Sequence, residues 1–246
     1  MVDSYSYICE DFVFSCCTVS SNEFLTGLEN GKLIRWIIDY ENNNKLKINF
    51  NKNIQAHRGR INAIEIDERL ELIITCGNDN YVQIRKLYNL ELLTPIKIKQ
   101  KYIITMAKIS PINFLYIMCF DRMEKQSVIF GYTLTGIKFA KSKLGLYCNI
   151  DFTHSGNIVS LLNHKEICIL YGYNLDKKVI SKNDNDYNMY KELNEKIKGA
   201  VWLEFKYYYY DNSISNIFVY IKKGKNKQDD NAKIYYNYYN DNKLLE

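Results

Sequence analysis

The residue types best suited to chemistry in this sequence are an imidazole, a hydroxyl and a carboxylate at His57, Thr75 and Asp79. Nucleophilic hydrolases combine these groups, and the imidazole takes the proton from the hydroxyl as its oxygen attacks. Thr75, however, ends the apolar run of residues 72–75, which predicts a buried strand. The alternative is that the carboxylate orients the imidazole in a tight turn, and the imidazole satisfies a buried hydroxyl. We favour this structural role and predict no catalytic residues.

The sequence predicts neither a metal site nor a cofactor site. The other two histidines, His154 and His164, have no cysteine or acidic residue nearby at ligand spacing. The seven cysteines are odd in number, form no Cys-x-x-Cys pair and include two adjacent residues, which favours free thiols in a reducing compartment. Four of them lie in apolar runs and are expected to be buried, namely Cys76, Cys119, Cys148 and Cys168.

Strands are expected to position these side chains, because short apolar runs bounded by Asn, Asp, Gly or Lys recur along the chain. The third runs of successive groups align on Trp36, Arg85, Gly131 and Gly172, which are 49, 46 and 41 residues apart. Four strands every ~40–45 residues are typical of a β-propeller blade. The prediction is an all-β chain with a polar loop at residues 181–198 and about five blade-like four-stranded units, at residues 11–55, 56–98, 101–141, 144–180 and 198–246.

The second unit resembles a WD40 repeat. An Ala-His pair stands where Gly-His usually opens that repeat, and the segment TCGNDNYVQIRKL follows the pattern Ser-Gly-Ser-x-Asp-x-x-Ile-x-Ile-Trp-Asp-Leu. The resemblance assigns His57, Thr75 and Asp79 to the hydrogen-bond network that ties the strands of a blade together. Arg85 replaces the tryptophan that would complete this network, whereas Trp36 is that tryptophan in the first unit.

Four segments also resemble the C-terminal WD40 propeller of BEACH-domain, neurobeachin-like proteins, at residues 84–93, 109–116, 130–142 and 149–157. In order and spacing the resemblance covers residues 23–176. It implies the interaction module of a large cytosolic scaffold in vesicle trafficking, lysosome-related organelles or autophagy. The family usually has seven units, so we expect the C-terminal part of a larger propeller, whose open sheet edges would pair with missing blades.

The net charge of +5 is mild for a nucleic-acid binder. No apolar run approaches the ~18 residues of a membrane span, and the N-terminus carries no secretory signal. We therefore expect a cytoplasmic protein, at most peripherally associated with membranes, that binds proteins or peptides without enzymatic activity or cofactor. Arg58 and Arg60, in the loop after His57, are the predicted contact patch, and a BEACH domain or missing blades are candidate partners. The alternative is an adaptor that binds RNA or an anionic membrane surface through basic loops such as residues 222–227.

Overall fold

The computed structural model describes residues 9–40, 46–146, 149–152, 156, 158–162, 167–176, 197–205, 215–222 and 233–240. Within them every regular element is a β-strand. The strands are β1 (Val13–Ser20), β2 (Glu23–Leu28), β3 (Lys32–Tyr40), β4 (Leu46–Gln55), β5 (Ile61–Asp67), β6 (Leu72–Gly77), β7 (Tyr81–Lys86), β8 (Leu92–Lys97), β9 (Tyr102–Ile109), β10 (Phe114–Asp121), β11 (Gln126–Thr133), β12 (Lys138–Lys143), β13 (Asn149–Phe152), β14 (Ile158–Leu162), β15 (Ile167–Tyr171), β16 (Ile197–Phe205), β17 (Ser215–Lys222) and β18 (Lys233–Asn240).

These strands form five separate antiparallel sheets, each built from consecutive strands in chain order. The first three sheets have four strands each (β1–β4, β5–β8, β9–β12), and the described parts of the last two have three (β13–β15, β16–β18). The first strands of neighbouring sheets contact one another, β1 with β5, β5 with β9 and β9 with β13. Each sheet therefore runs outward from a shared inner line of first strands, as a propeller blade does. We number the sheets blades 1 to 5.

The hydrophobic core lies between the faces of neighbouring blades. The second and third strands of a blade are buried on both faces, so continuous apolar runs encode them instead of an alternating pattern. In β10, for example, residues 115–119 are all at most 1% exposed. Blades 2 and 3 share the largest cluster, in which Ile74 and Val82 pack with Ile104, Ile117 and Val128. Outer strands such as β8 and β12 are mostly exposed, because one edge and much of each face meet solvent.

The strands occur where the short apolar runs predict them. Cys76 and Cys119 are buried free thiols, and burial is the largest cause that raises the pKa of each. Several predictions lie outside the described residues: the end of the fourth predicted unit at residues 177–180, Cys148, both His154 and His164, and residues 181–196 of the polar loop. β16 begins at Ile197, so the last two residues of the predicted polar loop belong to a strand. Among the described residues, no helix could cross a membrane.

Candidate functional site

The structure brings His57, Thr75 and Asp79 together in blade 2. His57 Nδ1 lies 2.9 Å from Asp79 Oδ1, and His57 Nε2 lies 2.8 Å from Thr75 Oγ1. Because a carboxylate only accepts hydrogen bonds, Nδ1 carries the proton and Nε2 accepts from the Thr75 hydroxyl. Burial lowers the pKa of His57, although the charge and hydrogen bond of Asp79 act to raise it. The imidazole is therefore neutral near pH 7, which suits this bonding pattern.

The setting of these three groups does not suit catalysis. Thr75 is fully buried and His57 is 2% exposed, so a substrate cannot reach the hydroxyl. The Asp79 carboxylate is occupied by backbone groups as well, because it accepts from the N–H of Tyr81 at 3.1 Å and the N–H of Arg58 at 3.0 Å. The arrangement can hold a turn between β6 and β7 against the loop before β5, which is a positioning function.

Trp36 forms a hydrogen bond in blade 1 with the threonine that corresponds to Thr75. Its Nε1–H donates to Thr26 Oγ1 at 2.8 Å, and both residues are buried. Thr26 and Trp36 each lie 49 residues before their blade 2 equivalents, Thr75 and Arg85. Thr26 is not among the residues predicted from the sequence, although the 49-residue offset that aligns Trp36 with Arg85 points directly to it.

Arg85 has acquired a different set of partners from those of the expected tryptophan. Arg85 as a whole is 7% exposed, and its guanidinium donates to Gln83 Oε1 at 3.0 and 2.5 Å and to the Leu90 carbonyl at 2.7 Å. Gln83 in turn donates to the Ala56 carbonyl at 2.6 Å, immediately before His57. Burial lowers the pKa of Arg85. Arg85 and Gln83 thus support the same loop as the His57 network, and no sequence pattern predicted Gln83.

The loop of residues 56–60 is fixed to both of the blades that it joins. On the blade 1 side, the Gly31 carbonyl accepts from the N–H groups of Ala56 at 3.0 Å and His57 at 3.1 Å. Gln55 Nε2 donates to the His57 carbonyl at 2.8 Å. Gly31 has a φ of 86° and lies so close to that carbonyl that a Cβ would overlap it, so glycine is needed there. We call residues 56–60 the joint loop.

The predicted contact residues Arg58 and Arg60 occupy different environments. The Arg58 side chain is exposed, and its guanidinium has no hydrogen-bond or ion-pair partner among the described residues, although its N–H is held by Asp79. Arg60 is half-buried, donates to Asn62 Oδ1 at 2.9 Å and lies over the Phe14 ring at 4.6 Å. Phe14 itself is 46% exposed. The joint loop therefore offers one free cation beside an apolar surface that Arg60 partly covers.

Other candidate sites receive less support. Residues 223–227, which carry most of the predicted basic loop, lie outside the described residues. Within the described ranges, no cluster of three or more His, Cys, Asp and Glu side chains is placed to hold a metal ion.

Comparison with known proteins gives a structural match without a sequence match. No protein-family model and no curated protein matches the chain. Among solved structures, the chain is similar to the WD40 β-propeller domain of Doa1, with a TM-score of 0.53 and 11% sequence identity. The match covers 92% of this chain and 69% of that chain. At this identity the likeness concerns the fold, and it agrees with the blades described above: the chain is an all-β protein with the fold of a WD40 propeller.

Proposed function

We propose that this chain is a non-enzymatic protein-interaction module, and that its joint loop presents Arg58 to a partner. The observation that carries the proposal is the contrast between the two halves of Arg58. Its backbone is held by Asp79 and by a loop bonded to two blades, whereas its guanidinium is exposed. A cation on a fixed backbone loses only the rotamer freedom of its own side chain on binding, because the loop is already ordered. WD40 propellers generally bind protein partners, which supports the same function.

The partner that fits this surface is a peptide with an acidic residue next to an apolar one. A carboxylate would pair with Arg58 through two parallel hydrogen bonds. An aliphatic or aromatic side chain would cover the exposed part of Phe14, whose ring already contacts Arg60. This pairing of charge and apolar area agrees with the residues that usually dominate protein interfaces.

We further propose that the module works in the cytoplasm, in a BEACH-type scaffold of vesicle trafficking that associates peripherally with membranes. The support is the resemblance of residues 23–176 to the neurobeachin-like propellers. A full-length transcript that encodes a BEACH domain in the same reading frame would favour this assignment. A transcript without one, together with a diffuse distribution on cell fractionation, would contradict it.

The interaction function is tested with a charge reversal at the joint loop. Arg58→Glu is compared with Lys52→Glu, which changes the same charge on exposed blade 1 surface. Partners are recovered by affinity capture with quantitative mass spectrometry, and direct binding is then measured with purified partner fragments. We expect at least one direct partner to be retained by wild type and Lys52→Glu and weakened about tenfold or more by Arg58→Glu, as for loss of a charge-assisted pair. Equal retention by all three proteins would contradict the proposed contact.

A further inference from the structure

A lysine-rich cavity lies between blades 2 and 3, away from the joint loop. Its volume is about 320 Å³, at the lower end of the range of small-molecule pockets. One wall follows the end of β8, and the other is formed by β9, β11 and β12. Five lysines line it, namely Lys97, Lys99, Lys101, Lys138 and Lys141. We call this feature the lysine cavity.

The charges of the lysine cavity are largely uncompensated. Lys101 pairs with Asp121 at 2.9 Å, and this aspartate is itself fully buried. The other four lysines form no ion pair with any described residue. Five ammonium groups beside one carboxylate leave four positive charges around a space of a few hundred cubic ångströms, in a protein whose whole net charge is +5. Such a concentration of one sign has to be offset by solvent or by an anion.

Buried aromatic rings hold several of these ammonium groups in place. Lys138 Nζ lies 5.5 Å from the centre of the Phe130 ring, and Lys141 Nζ lies 5.8 Å from the same ring. Lys141 also donates to the Tyr102 hydroxyl at 3.1 Å, and Lys101 Nζ lies 4.7 Å from the Tyr102 ring. Cation–π contacts of this length restrain flexible lysines. The cavity is thus arranged in advance, which reduces the entropic penalty of binding.

The positive charges of the lysine cavity also act on the pKa of Tyr102. Burial alone would raise its pKa, but the hydrogen bonds and charges of Lys141 and Lys101 outweigh that effect and lower the pKa. The lysines that line the cavity therefore favour negative charge on one of its lining residues relative to an ordinary tyrosine.

We propose that the lysine cavity binds a compact anion that carries two or more phosphate groups on a small body. Ammonium groups are compact donors that match phosphate oxygens, and several converge here on a volume that holds one small ligand. Single-stranded RNA fits less well, because bases need an open aromatic face to stack upon. Tyr102 and Phe130 are 3% and 4% exposed and already lie beneath lysines. The site is independent of the peptide contact proposed at Arg58.

The test uses inositol hexakisphosphate as a soluble probe and calorimetry at physiological salt. Lys138→Gln/Lys141→Gln is compared with Lys52→Gln/Lys125→Gln, which removes equal charge at two exposed lysines outside the cavity, neither in an ion pair with a described residue. We expect about tenfold weaker binding or more for the cavity variant and less than about twofold for the control, since each pair with phosphate contributes directly. Equal weakening in both would show a diffuse charge effect and overturn the proposal. No binding by the wild type would overturn it as well.

The source of the phosphate is distinguished with vesicles. Sedimentation with phosphatidylinositol bisphosphate, but not with phosphatidylserine at matched charge, would assign the site to a lipid headgroup. Binding of the soluble probe without sedimentation would assign it to a free metabolite, and both outcomes support a phosphate site. Tighter binding of single-stranded RNA than of the compact probe, with the same lysine dependence, would overturn it.

A second measurement does not depend on folding of the variants. In the wild-type chain, the probe should protect Lys138 and Lys141 from an amine-reactive reagent at least about threefold relative to Lys52, as read by peptide mass spectrometry. Equal labelling with and without a saturating probe would overturn the proposal.

Discussion

Removing the imidazole of blade 2 should reveal a coupled network. In His57→Leu, the fully buried Thr75 hydroxyl loses its partner, which costs about 1–2 kcal/mol. The bond to the Asp79 carboxylate is lost as well, at about 1.5 kcal/mol, the low end for a charged partner because Asp79 keeps two backbone donors. The expected loss is about 3 kcal/mol, a large part of the ~5–15 kcal/mol that stabilises a typical domain.

Thr75→Val provides the second side of a double-mutant cycle. It keeps the shape of the side chain and leaves His57 Nε2 without a donor, so it should cost about 1.5 kcal/mol. In the double variant no orphaned hydroxyl remains, because valine replaces it. Only the lost bond to Asp79 remains, because replacing both partners of a hydrogen bond by apolar groups is nearly neutral. The double variant should therefore lose about 1.5 kcal/mol, about 3 kcal/mol less than the two single losses together.

Urea unfolding followed by tryptophan fluorescence measures each free energy of unfolding. Thr26→Val is the matched control, since it removes the equivalent hydroxyl of blade 1, which bonds to Trp36 and not to His57. Its effect should add to that of His57→Leu within about 0.5 kcal/mol. The reasoning would be refuted if the losses in unfolding free energy for Thr75→Val and His57→Leu simply added. It would also be refuted if Thr26→Val were coupled to His57→Leu as strongly as Thr75→Val is.

Three further predictions follow, two on the contacts of His57 and one on a hydrogen bond between blades 3 and 4. Gly77→Ala should destabilise the fold by about 2 kcal/mol or more, because its Cβ would overlap the His57 ring and the Asp79 carboxylate; thermal unfolding measures this. Burial lowers the pKa of His57 below 6.5, so the folded state binds its proton less readily than the unfolded state. Stability from this group should be complete above about pH 6.5 and should decline as the pH falls below it, as seen in unfolding free energies from pH 7.5 to 5.5. Tyr116→Phe should cost about 1 kcal/mol, because the fully buried hydroxyl donates to the Gly172 carbonyl and so links blades 3 and 4; urea unfolding measures this loss.

Each of these experiments has an internal control. In Gly59→Ala the new Cβ would lie 4.0 Å from Asn78 Cβ, an ordinary contact, and should leave the melting temperature nearly unchanged. Equal effects at residues 59 and 77 would contradict the overlap argument. In His57→Leu the part of the decline in stability below about pH 6.5 that comes from His57 should disappear. An unchanged pH profile would contradict the assignment to His57. Tyr132→Phe changes a hydroxyl on the neighbouring strand in a residue that is 9% exposed, and an equal loss there would contradict a specific bond from Tyr116.

The strands could be predicted because their signal is local. Apolar runs bounded by turn residues mark strands that are buried on both faces, and the run in β10 is an example. The contacts of His57 with Thr75 and Asp79 could also be predicted, because all three residues fall within one repeat at a recognised spacing. Their hydrogen-bond distances of 2.8 and 2.9 Å agree with that spacing.

The remaining features depend on packing that no linear pattern encodes. From the sequence, Arg85 only replaces the tryptophan that would complete the network, whereas the structure shows that it bonds to Gln83, which in turn donates to the Ala56 carbonyl. The lysine cavity was not predicted for a similar reason. Lys97 and Lys141 are 44 residues apart and approach one another because blades 2 and 3 pack face to face. A search for charge runs finds residues 222–227 and overlooks cations that separate strands bring together.

The joint loop also determines where this chain can be divided. A fragment that ends at Gln55 keeps all four strands of blade 1 but lacks the N–H groups that bond to the Gly31 carbonyl. A fragment that begins at Ile61 keeps the strands of blade 2 but lacks the imidazole between Thr75 and Asp79. Neither boundary keeps the hydrogen bonds that fix the joint loop. A fragment that keeps these hydrogen bonds therefore contains blades 1 and 2 with the joint loop between them.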